Sequence, residues 1–173
     1  FGLRVAYSHE PELQGTGGGI RQAAPFLKDE PFLVLNGDTL SACDLTALIA
    51  AHRAGKALAT LALREDPEAA RWGPVTVDAG FRILQINGAP PLAPHAEPLP
   101  TPCMFAGIHV MEPAVLDAIP PGHGSIIDVY HALIGKGLVL RGWRMSGYWS
   151  DIGTRERYEQ AERDAAEGRL AIS

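Results

Sequence analysis

Short apolar runs typical of β-strands alternate along this chain with segments of helical pattern. The clearest run is Phe32–Leu35, four consecutive apolar residues that follow a proline, as in strands buried on both faces of a sheet. Strands are also predicted at residues 3–8, 57–63, 74–78, 81–86, 104–110, 138–141 and 148–150, and helices at 17–27, 45–54, 114–119, 125–136 and 154–167. This alternation predicts an α/β fold with a mixed, mainly parallel sheet and helices on both faces.

Composition excludes several classes of protein. The chain has 173 residues, 46% of them hydrophobic and 20% charged, which is ordinary for a globular protein and predicts one domain over residues 1–173. A net charge of −5 argues against a nucleic-acid surface and against binding to an anionic membrane. Cys43 and Cys103 are predicted to be free thiols. Without a signal peptide or an apolar run of bilayer length, the cytoplasm is the expected compartment.

A glycine-rich segment, Gly15-Thr16-Gly17-Gly18-Gly19, leads directly into a predicted helix. Glycines let the backbone approach a ligand closely, and a helix start offers free N–H groups. The segment lacks the Lys-Ser/Thr pair of a P-loop and the spacing of a dinucleotide-binding turn. Considered alone, it is equally consistent with a simple turn.

Two aspartates follow predicted strands. Asp38 ends the triplet Asn36-Gly37-Asp38 directly after the buried run, and Asp151 follows Trp149-Ser150. Ligands of α/β sheets bind beyond the carboxyl ends of strands, and carboxylates there suit a divalent cation. The alternatives are a polar turn for the triplet and helix capping for Asp151.

Together with Phe105-Ala106-Gly107-Ile108, these segments resemble, in order, the sugar-phosphate nucleotidylyltransferases. The likeness is greatest to the bacterial uridylyltransferases of N-acetylmuramate 1-phosphate and to mannose-1-phosphate guanylyltransferases. The resemblance implies a Rossmann-like nucleotidyltransferase fold, that of the nucleotide-diphospho-sugar transferases. It also implies an enzyme that joins the nucleoside monophosphate of an NTP, UTP or GTP, to a sugar 1-phosphate and releases pyrophosphate.

The resemblance also implies roles for particular residues. Asp38 and Asp151 match catalytic aspartates that bind Mg²⁺. Residues predicted to lie against the nucleotide are Gly15, Thr16, Gly17, Gly18, Asn36 and Gly37. Gly73 and Gly107 match positions that face the sugar. Because positioning and metal charge supply most of the catalysis in such a reaction, no nucleophilic side chain is required.

Two features of the family are missing. Its glycine-rich loop with Arg and Lys, which belongs to the first strand and helix, does not occur, so the chain is expected to lack that strand and loop. The lysine that binds the sugar phosphate in many relatives is also absent. Arg82 or Arg144 are candidate replacements, and the favoured alternative for each is a solvated surface charge. A non-catalytic homologue that binds a nucleotide sugar, or an unrelated nucleotide-binding module, are the alternatives.

The assigned roles lead to one expectation about the aspartates and one about Gly18. The carboxylates of Asp38 and Asp151 should lie roughly 4–6 Å apart, within reach of one cation, because strand ends share one edge of a sheet. Gly18→Val should block nucleotide binding while it leaves the fold largely intact.

The 173-residue chain expressed alone is expected to be poorly active and less stable than its full-length parent. Without the family's first strand, the neighbouring strand would have unpaired backbone groups, and the triphosphate would lose basic residues that neutralise it. Pyrophosphate release by the chain and by the parent checks this expectation. Equal turnover by the two proteins would contradict it.

Overall fold

The structure, a computed structural model, describes residues 2–66 and 69–170. The strands are β1 (Phe32–Leu35), β2 (Thr39–Ser41), β3 (Ala59–Glu65), β4 (Pro74–Val77), β5 (Ile83–Ile86), β6 (Cys103–Met111), β7 (Leu140–Arg144) and β8 (Trp149–Asp151). The helices are α1 (Gly15–Gln22), α2 (Ala24–Leu27), α3 (Leu45–Gly55), α4 (Ala69–Trp72), α5 (Ile126–Gly135) and α6 (Arg155–Ala166), with a 3₁₀ helix at Pro113–Ala118.

Strand β6 is the centre of a six-stranded mixed sheet. One of its edges pairs with β3, and its other edge pairs with both β1 and β4. Strand β7 extends the sheet beyond β3, and β5 extends it beyond β4. Strands β2 and β8 form a separate antiparallel pair.

The predicted mixed α/β sheet is confirmed, but its pairing is mainly antiparallel. Strands β1, β3, β4 and β7 run in one direction, as a parallel arrangement requires. Strand β6 runs in the opposite direction and lies between them, so within the described residues only the β3–β7 ladder is parallel. The sequence pattern identifies strands but does not show their order in the sheet, so it could not show that β6 lies between strands of the opposite direction.

Helices cover both faces of the sheet, as predicted. On one face, Ile20 of α1 and Tyr130 of α5 pack with Leu61 of β3 in the larger apolar cluster. On the other face, Leu48 of α3 packs with Ala62, in a cluster that includes Ile108 and Val110. Alternate residues of β3 therefore face opposite clusters, as the period of a strand requires.

Several predicted elements differ in detail. The strand predicted at residues 3–8 is wrong: no described strand pairs with this segment, and Leu3, Val5 and Tyr7 are 80%, 68% and 88% exposed. Strand β2 was not predicted, because it has only three residues. The helix predicted at 17–27 is divided at Ala23, since Pro25 has no N–H to continue the ladder.

The caps of the longer helices match the sequence. Asp44, Ser125 and Thr154 each accept a hydrogen bond from a backbone N–H in the first turn of α3, α5 and α6. Such bonds satisfy donors that have no partner within the helix, so helix starts are readable from short polar residues. No helix in the described ranges is long and apolar enough to cross a membrane.

A buried histidine–tyrosine pair lies between β6 and α5. The rings of His109 and Tyr130 are 1% and 0% exposed, and His109 Nδ1 shares a 2.5 Å hydrogen bond with the Tyr130 hydroxyl. Burial lowers the pKa of His109 to about 3 and raises the pKa of Tyr130 well above its ordinary value, so both stay neutral at pH 7.

This pair predicts a loss of stability in mild acid. The pKa of His109 is about 3 when folded and roughly 6.5 when unfolded, so between these values the unfolded chain binds the extra proton. The free energy of unfolding should therefore fall by about 2 kcal/mol from pH 7 to pH 5 through this residue alone. Urea unfolding at both pH values measures the fall.

His109→Gln is the variant that isolates this effect, because glutamine does not titrate. Burial also lowers the pKa of His52, so some pH dependence remains in the variant. A variant with the same difference between pH 7 and pH 5 as the original protein would contradict the assignment to His109.

Candidate functional site

A gap in the ladder along one edge of β6 is the structural basis of the site. Strand β1 pairs with β6 only as far as Ile108, and β4 pairs with it only at Cys103 and Met104. The stretch 105–107 lies between these two ladders. The end of β1 and the start of β4 therefore face each other across this gap, and the chain segments beyond them define two pockets.

The first pocket, called here the tryptophan pocket, opens over the gap and has a volume of about 220 Å³. Its walls come from the end of β1, the start of β4, the end of β5 and β8. Its lining includes Asn36, Trp72, Gly73, Asn87, Gly107, Trp149 and Asp151. Both predicted sugar-facing glycines are thus in one pocket with one of the predicted aspartates.

The second pocket, called here the α1 pocket, lies on the other side of Asn36 and has a volume of about 520 Å³. It is bounded by the start of α1, the end of β1 and the start of α5. The residues predicted for the nucleotide that line it are Gly15, Thr16, Asn36 and Gly37, and Asp38 is also part of its wall. Since Asn36 lines both pockets, they are neighbours.

Asp38 and Asp151 lie side by side, as predicted. Asp38 Oδ2 and Asp151 Oδ1 are 3.1 and 3.3 Å from the position that a Cβ on Gly153 would occupy. The backbone holds them there, because Ile152 N donates a 2.8 Å hydrogen bond to the Asp38 carbonyl. Their proximity was expected to come from strand ends that share one edge of the main sheet. It comes instead from the β2–β8 pair, in which Thr39 lies opposite Asp151.

Sequence reasoning missed Arg157, which contacts Asp151. Its Nη1 forms a short ion pair with Asp151 Oδ1, and its Cζ lies 5.3 Å from the centre of the Trp72 ring. Trp72 in turn packs edge-on against Trp149, whose indole N–H donates to the Ala106 carbonyl at 2.9 Å. Arg157 therefore links Asp151 to Trp72 in the wall of the tryptophan pocket.

Each glycine that was predicted to face the sugar makes room for an asparagine. Gly107 has φ of +76°, and a Cβ there would lie 2.9 Å from Asn36 Nδ2. Gly73 has φ of +93°, and a Cβ there would lie 2.1 Å from Asn87 Oδ1. The amide groups of Asn36 and Asn87 consequently lie beside the tryptophan pocket. Asn87 was not predicted as a site residue, because a turn asparagine after a strand carries no distinctive signal.

The glycine-rich segment has a packing role that its sequence did not reveal. Thr16 Oγ1 accepts a 3.0 Å hydrogen bond from Ile126 N, and Gly17 N donates to the Gly124 carbonyl at 2.9 Å. Gly17 and Gly18 are buried and do not line the α1 pocket, whereas Gly15 and Thr16 do. Contact of Gly17 or Gly18 with a nucleotide therefore stays a prediction.

The expectation that Gly18→Val leaves the fold intact is wrong. A Cβ at this position would lie 2.5 Å from the carbonyl oxygen of Gly122 and 2.6 Å from Gln14 Cβ. Backbone cannot yield as a flexible side chain does, so the helix and the loop before α5 would have to separate.

The arginines proposed to replace the missing lysine lie elsewhere. Arg82 Nη2 donates to the Gly137 carbonyl and lines a cavity of about 750 Å³ that contains none of the predicted site residues. Arg144 forms a 2.7 Å ion pair with Glu65 and lies over the Phe81 ring. Neither arginine lines the tryptophan pocket or the α1 pocket.

The donor set at the two aspartates fits Mg²⁺ only in part. Two neighbouring carboxylates supply oxygen ligands of the type that Mg²⁺ prefers. Residues 2–66 and 69–170 contain no cluster of three or more acidic, histidine or cysteine side chains able to hold a metal. A cation here would complete its shell with water and substrate oxygens, as Mg²⁺ commonly does in phosphate-binding sites.

No thiol is placed for nucleophilic chemistry in the described structure. Cys43 and Cys103 are free, as predicted, and burial raises the pKa of each thiol. A protonated thiol is a poor nucleophile. The chemistry of the site therefore depends on carboxylates, amides and one guanidinium.

Comparison with known proteins assigns a family. Residues 1–168 match the family described as nucleotidyl transferase. The chain is 33% identical over 171 residues to the mannose-1-phosphate guanylyltransferase of Mycobacterium tuberculosis, covering 97% of this chain and 46% of that protein. It is 33% identical over 168 residues to the N-acetylmuramate alpha-1-phosphate uridylyltransferase of Neisseria meningitidis serogroup B, covering 94% of this chain and 67% of that protein.

A solved structure supports the fold. The putative glucose-1-phosphate thymidylyltransferase of Bacillus anthracis, in complex with a sucrose, superposes with a TM-score of 0.72 at 21% identity, covering 90% of this chain and 63% of that one. The chain spans about half the length of several relatives that it matches. Its similarity to them nevertheless extends over nearly all of its own length.

Two valine substitutions should separate packing from ligand contact in the glycines. Gly18→Val should destabilise the fold by about 1–3 kcal/mol, because its side chain meets backbone. Gly37→Val should leave the melting temperature nearly unchanged, since nothing lies within 4 Å of its Cβ position, and should weaken nucleotide binding in the α1 pocket. Thermal melting and calorimetric titration with UTP and GTP distinguish the two effects. Normal nucleotide binding by Gly37→Val would contradict the assignment of this residue.

Proposed function

This chain belongs to the nucleotidyl transferase family, and on that premise we propose that it carries out nucleotidyl transfer to a sugar 1-phosphate. An oxygen of the sugar phosphate attacks the α-phosphorus of an NTP. The bond from the α-phosphorus to the bridging oxygen breaks, and pyrophosphate leaves with the electron pair. The products are a nucleoside diphosphate sugar and pyrophosphate.

The observation that carries this proposal is the proximity of Asp38 and Asp151 where the two pockets adjoin. Asp38 lines the α1 pocket and Asp151 lines the tryptophan pocket, while one oxygen of each lies within 3.3 Å of the Cβ position of Gly153. Groups bound in the two pockets would meet at these carboxylates. Transfer between two bound substrates needs such a shared point, because alignment supplies much of the rate enhancement.

The α1 pocket is proposed for the nucleotide. It is the larger of the two, and Gly15, Gly37 and Asn36 line it with little side-chain bulk. The names of the relatives specify guanylyl and uridylyl transfer, which supports GTP or UTP as the donor. The exposed backbone of Gly37 allows close approach of a nucleoside, since nothing lies within 4 Å of its Cβ position.

The tryptophan pocket is proposed for the sugar 1-phosphate. Asn36 and Asn87 present amides, which both donate to and accept from sugar hydroxyls. Trp72 and Trp149 supply apolar ring surface for the body of the sugar. Phosphate linked to C1 would extend from this pocket towards Asp151 and the donor.

Asp38 and Asp151 would hold Mg²⁺. When bound, the cation would offset the charges of the phosphates and orient them for in-line attack. Asp151 is kept in position by hydrogen bonds from Gly153 N, at 3.0 Å, and from Arg157. Asp38 is exposed, and its carboxylate forms no hydrogen bond or ion pair within residues 2–66 and 69–170, so it is free to ligate.

Asp38→Asn and Asp151→Asn should each reduce turnover by about 100-fold, which corresponds to roughly 3 kcal/mol of lost stabilisation of the transition state. The substitution keeps the size of the side chain and removes the charge that a cation requires. Pyrophosphate release by the full-length gene product measures this, with UTP or GTP, several sugar 1-phosphates, and Mg²⁺ either present or chelated by EDTA.

Asp29→Asn is the matched control, because Asp29 is exposed and forms no contact with either pocket. Its turnover should equal that of the original protein. Normal turnover by both aspartate variants would contradict the assigned roles. Binding of a nucleotide sugar without any turnover would instead favour a non-catalytic homologue.

A further inference from the structure

The tryptophan pocket has no cation of its own for an acceptor phosphate. Among the described residues that line it, there is no Lys, Arg or His, and the one ionisable side chain is that of Asp151. A phosphate monoester carries about −1.5 to −2 charges at pH 7. A carboxylate beside it would repel it, and the two charges of a Mg²⁺ ion held by Asp38 and Asp151 would already be balanced by those two carboxylates. A further cation close to the pocket would therefore favour binding of a sugar 1-phosphate there.

Arg157 is placed to supply that charge. It lies in the first turn of α6. It contacts two residues of the pocket wall, Asp151 by an ion pair and Trp72 by a cation–π contact. The aromatic contact and the ion pair fix the guanidinium at two points. Ordering the side chain in advance reduces the entropy that a ligand must overcome on binding.

The guanidinium group of Arg157 also has hydrogen-bond donors that the described residues leave without a partner. Nη1 bonds to Asp151, whereas Nε and Nη2 form no hydrogen bond within the described parts of the chain. The side chain as a whole is 42% exposed. The N–H groups of Nε and Nη2 form one edge of the planar guanidinium, and such an edge matches the geometry of phosphate oxygens.

We propose that Arg157 binds the phosphate of the acceptor sugar 1-phosphate while its Nη1 remains on Asp151. This inference rests on the proposed function for the identity of the acceptor. It assigns to an arginine of α6 the role for which Arg82 and Arg144 were candidates on the sequence alone. It also places the phosphate beside Nε and Nη2 of the guanidinium, which form no hydrogen bond within the described residues.

The test uses the full-length gene product and three variants. Arg157→Met removes the charge but keeps the length, and Arg157→Lys keeps the charge without the planar fork. Arg155→Met is the matched control, because Arg155 lies in the same helical turn but forms its ion pair with Glu159 on the outer surface. Melting temperatures of all four proteins establish that they are folded.

Binding is measured first by calorimetry, in Mg²⁺, with glucose 1-phosphate, mannose 1-phosphate and N-acetylmuramate 1-phosphate, each against the unphosphorylated sugar. Arg157→Met should weaken binding of the preferred sugar phosphate by about 10-fold to 100-fold, the loss expected for a hydrogen bond between charged groups. Arg157→Lys should recover part of that loss. Arg155→Met should bind as the original protein does.

Kinetics then separate ligand contact from positioning of Asp151. Arg157→Met should raise the KM for the sugar 1-phosphate and leave the KM for the NTP and the dissociation constant of Mg²⁺ within about twofold. Equal weakening of Mg²⁺ and of the acceptor would overturn the proposal, because Arg157 would then act only by orienting Asp151. Unchanged binding of the sugar phosphate by Arg157→Met would also overturn it, as would the absence of any sugar-phosphate binding by the original protein.

Failure of the proposed function gives a different result. If the original protein binds a sugar 1-phosphate through Arg157 but releases no pyrophosphate with any NTP, the assignment of Arg157 is supported and the transfer activity is not.

Discussion

The two ladders on one edge of β6 stop short of each other, and the site depends on that interruption. Strand β3 covers the opposite edge of β6, with a change of register between Leu61 and Leu63. At the gap, the Ala106 carbonyl accepts from the Trp149 indole and the Gly107 carbonyl accepts from Asn36 N at 2.9 Å. Groups outside the ladder thus satisfy the buried backbone, which makes an open pocket compatible with a stable sheet.

The small β2–β8 sheet brings together two carboxylates that are far apart in the sequence, those of Asp38 and Asp151. Like charges at close range repel each other, so the arrangement needs a compensating cation or a metal. Arg157 provides one positive charge next to Asp151, and its stacking on Trp72 ties that charge to the pocket wall. Backbone pairing therefore sets the distance between the aspartates, while the guanidinium offsets part of their repulsion.

The glycines predicted to contact ligands differ in how tightly they are packed. Gly18 is pressed against the loop before α5, and Gly107 is pressed against the Asn36 side chain, so larger residues would disturb the structure. Gly37 is open, and a substitution there can act on a ligand alone. A loss of binding after glycine substitution in this chain is informative only when stability is measured on the same variant.

The sequence by itself determined the α/β class, most strands and helices and the polar helix caps, because each of these follows from local pattern. It also predicted that Asp38 and Asp151 lie close together, but through the ends of one sheet and not through the separate β2–β8 pair. It did not determine that β6 lies between strands of the opposite direction, that residues 3–8 are unpaired, or that Arg157 stacks on Trp72 beside Asp151. Those features depend on which segments meet in three dimensions, and contacts between residues 85 positions apart leave no periodic signal in the chain. Only the tertiary structure decided them, because pairing partners and side-chain contacts are chosen by the packing of the whole sheet.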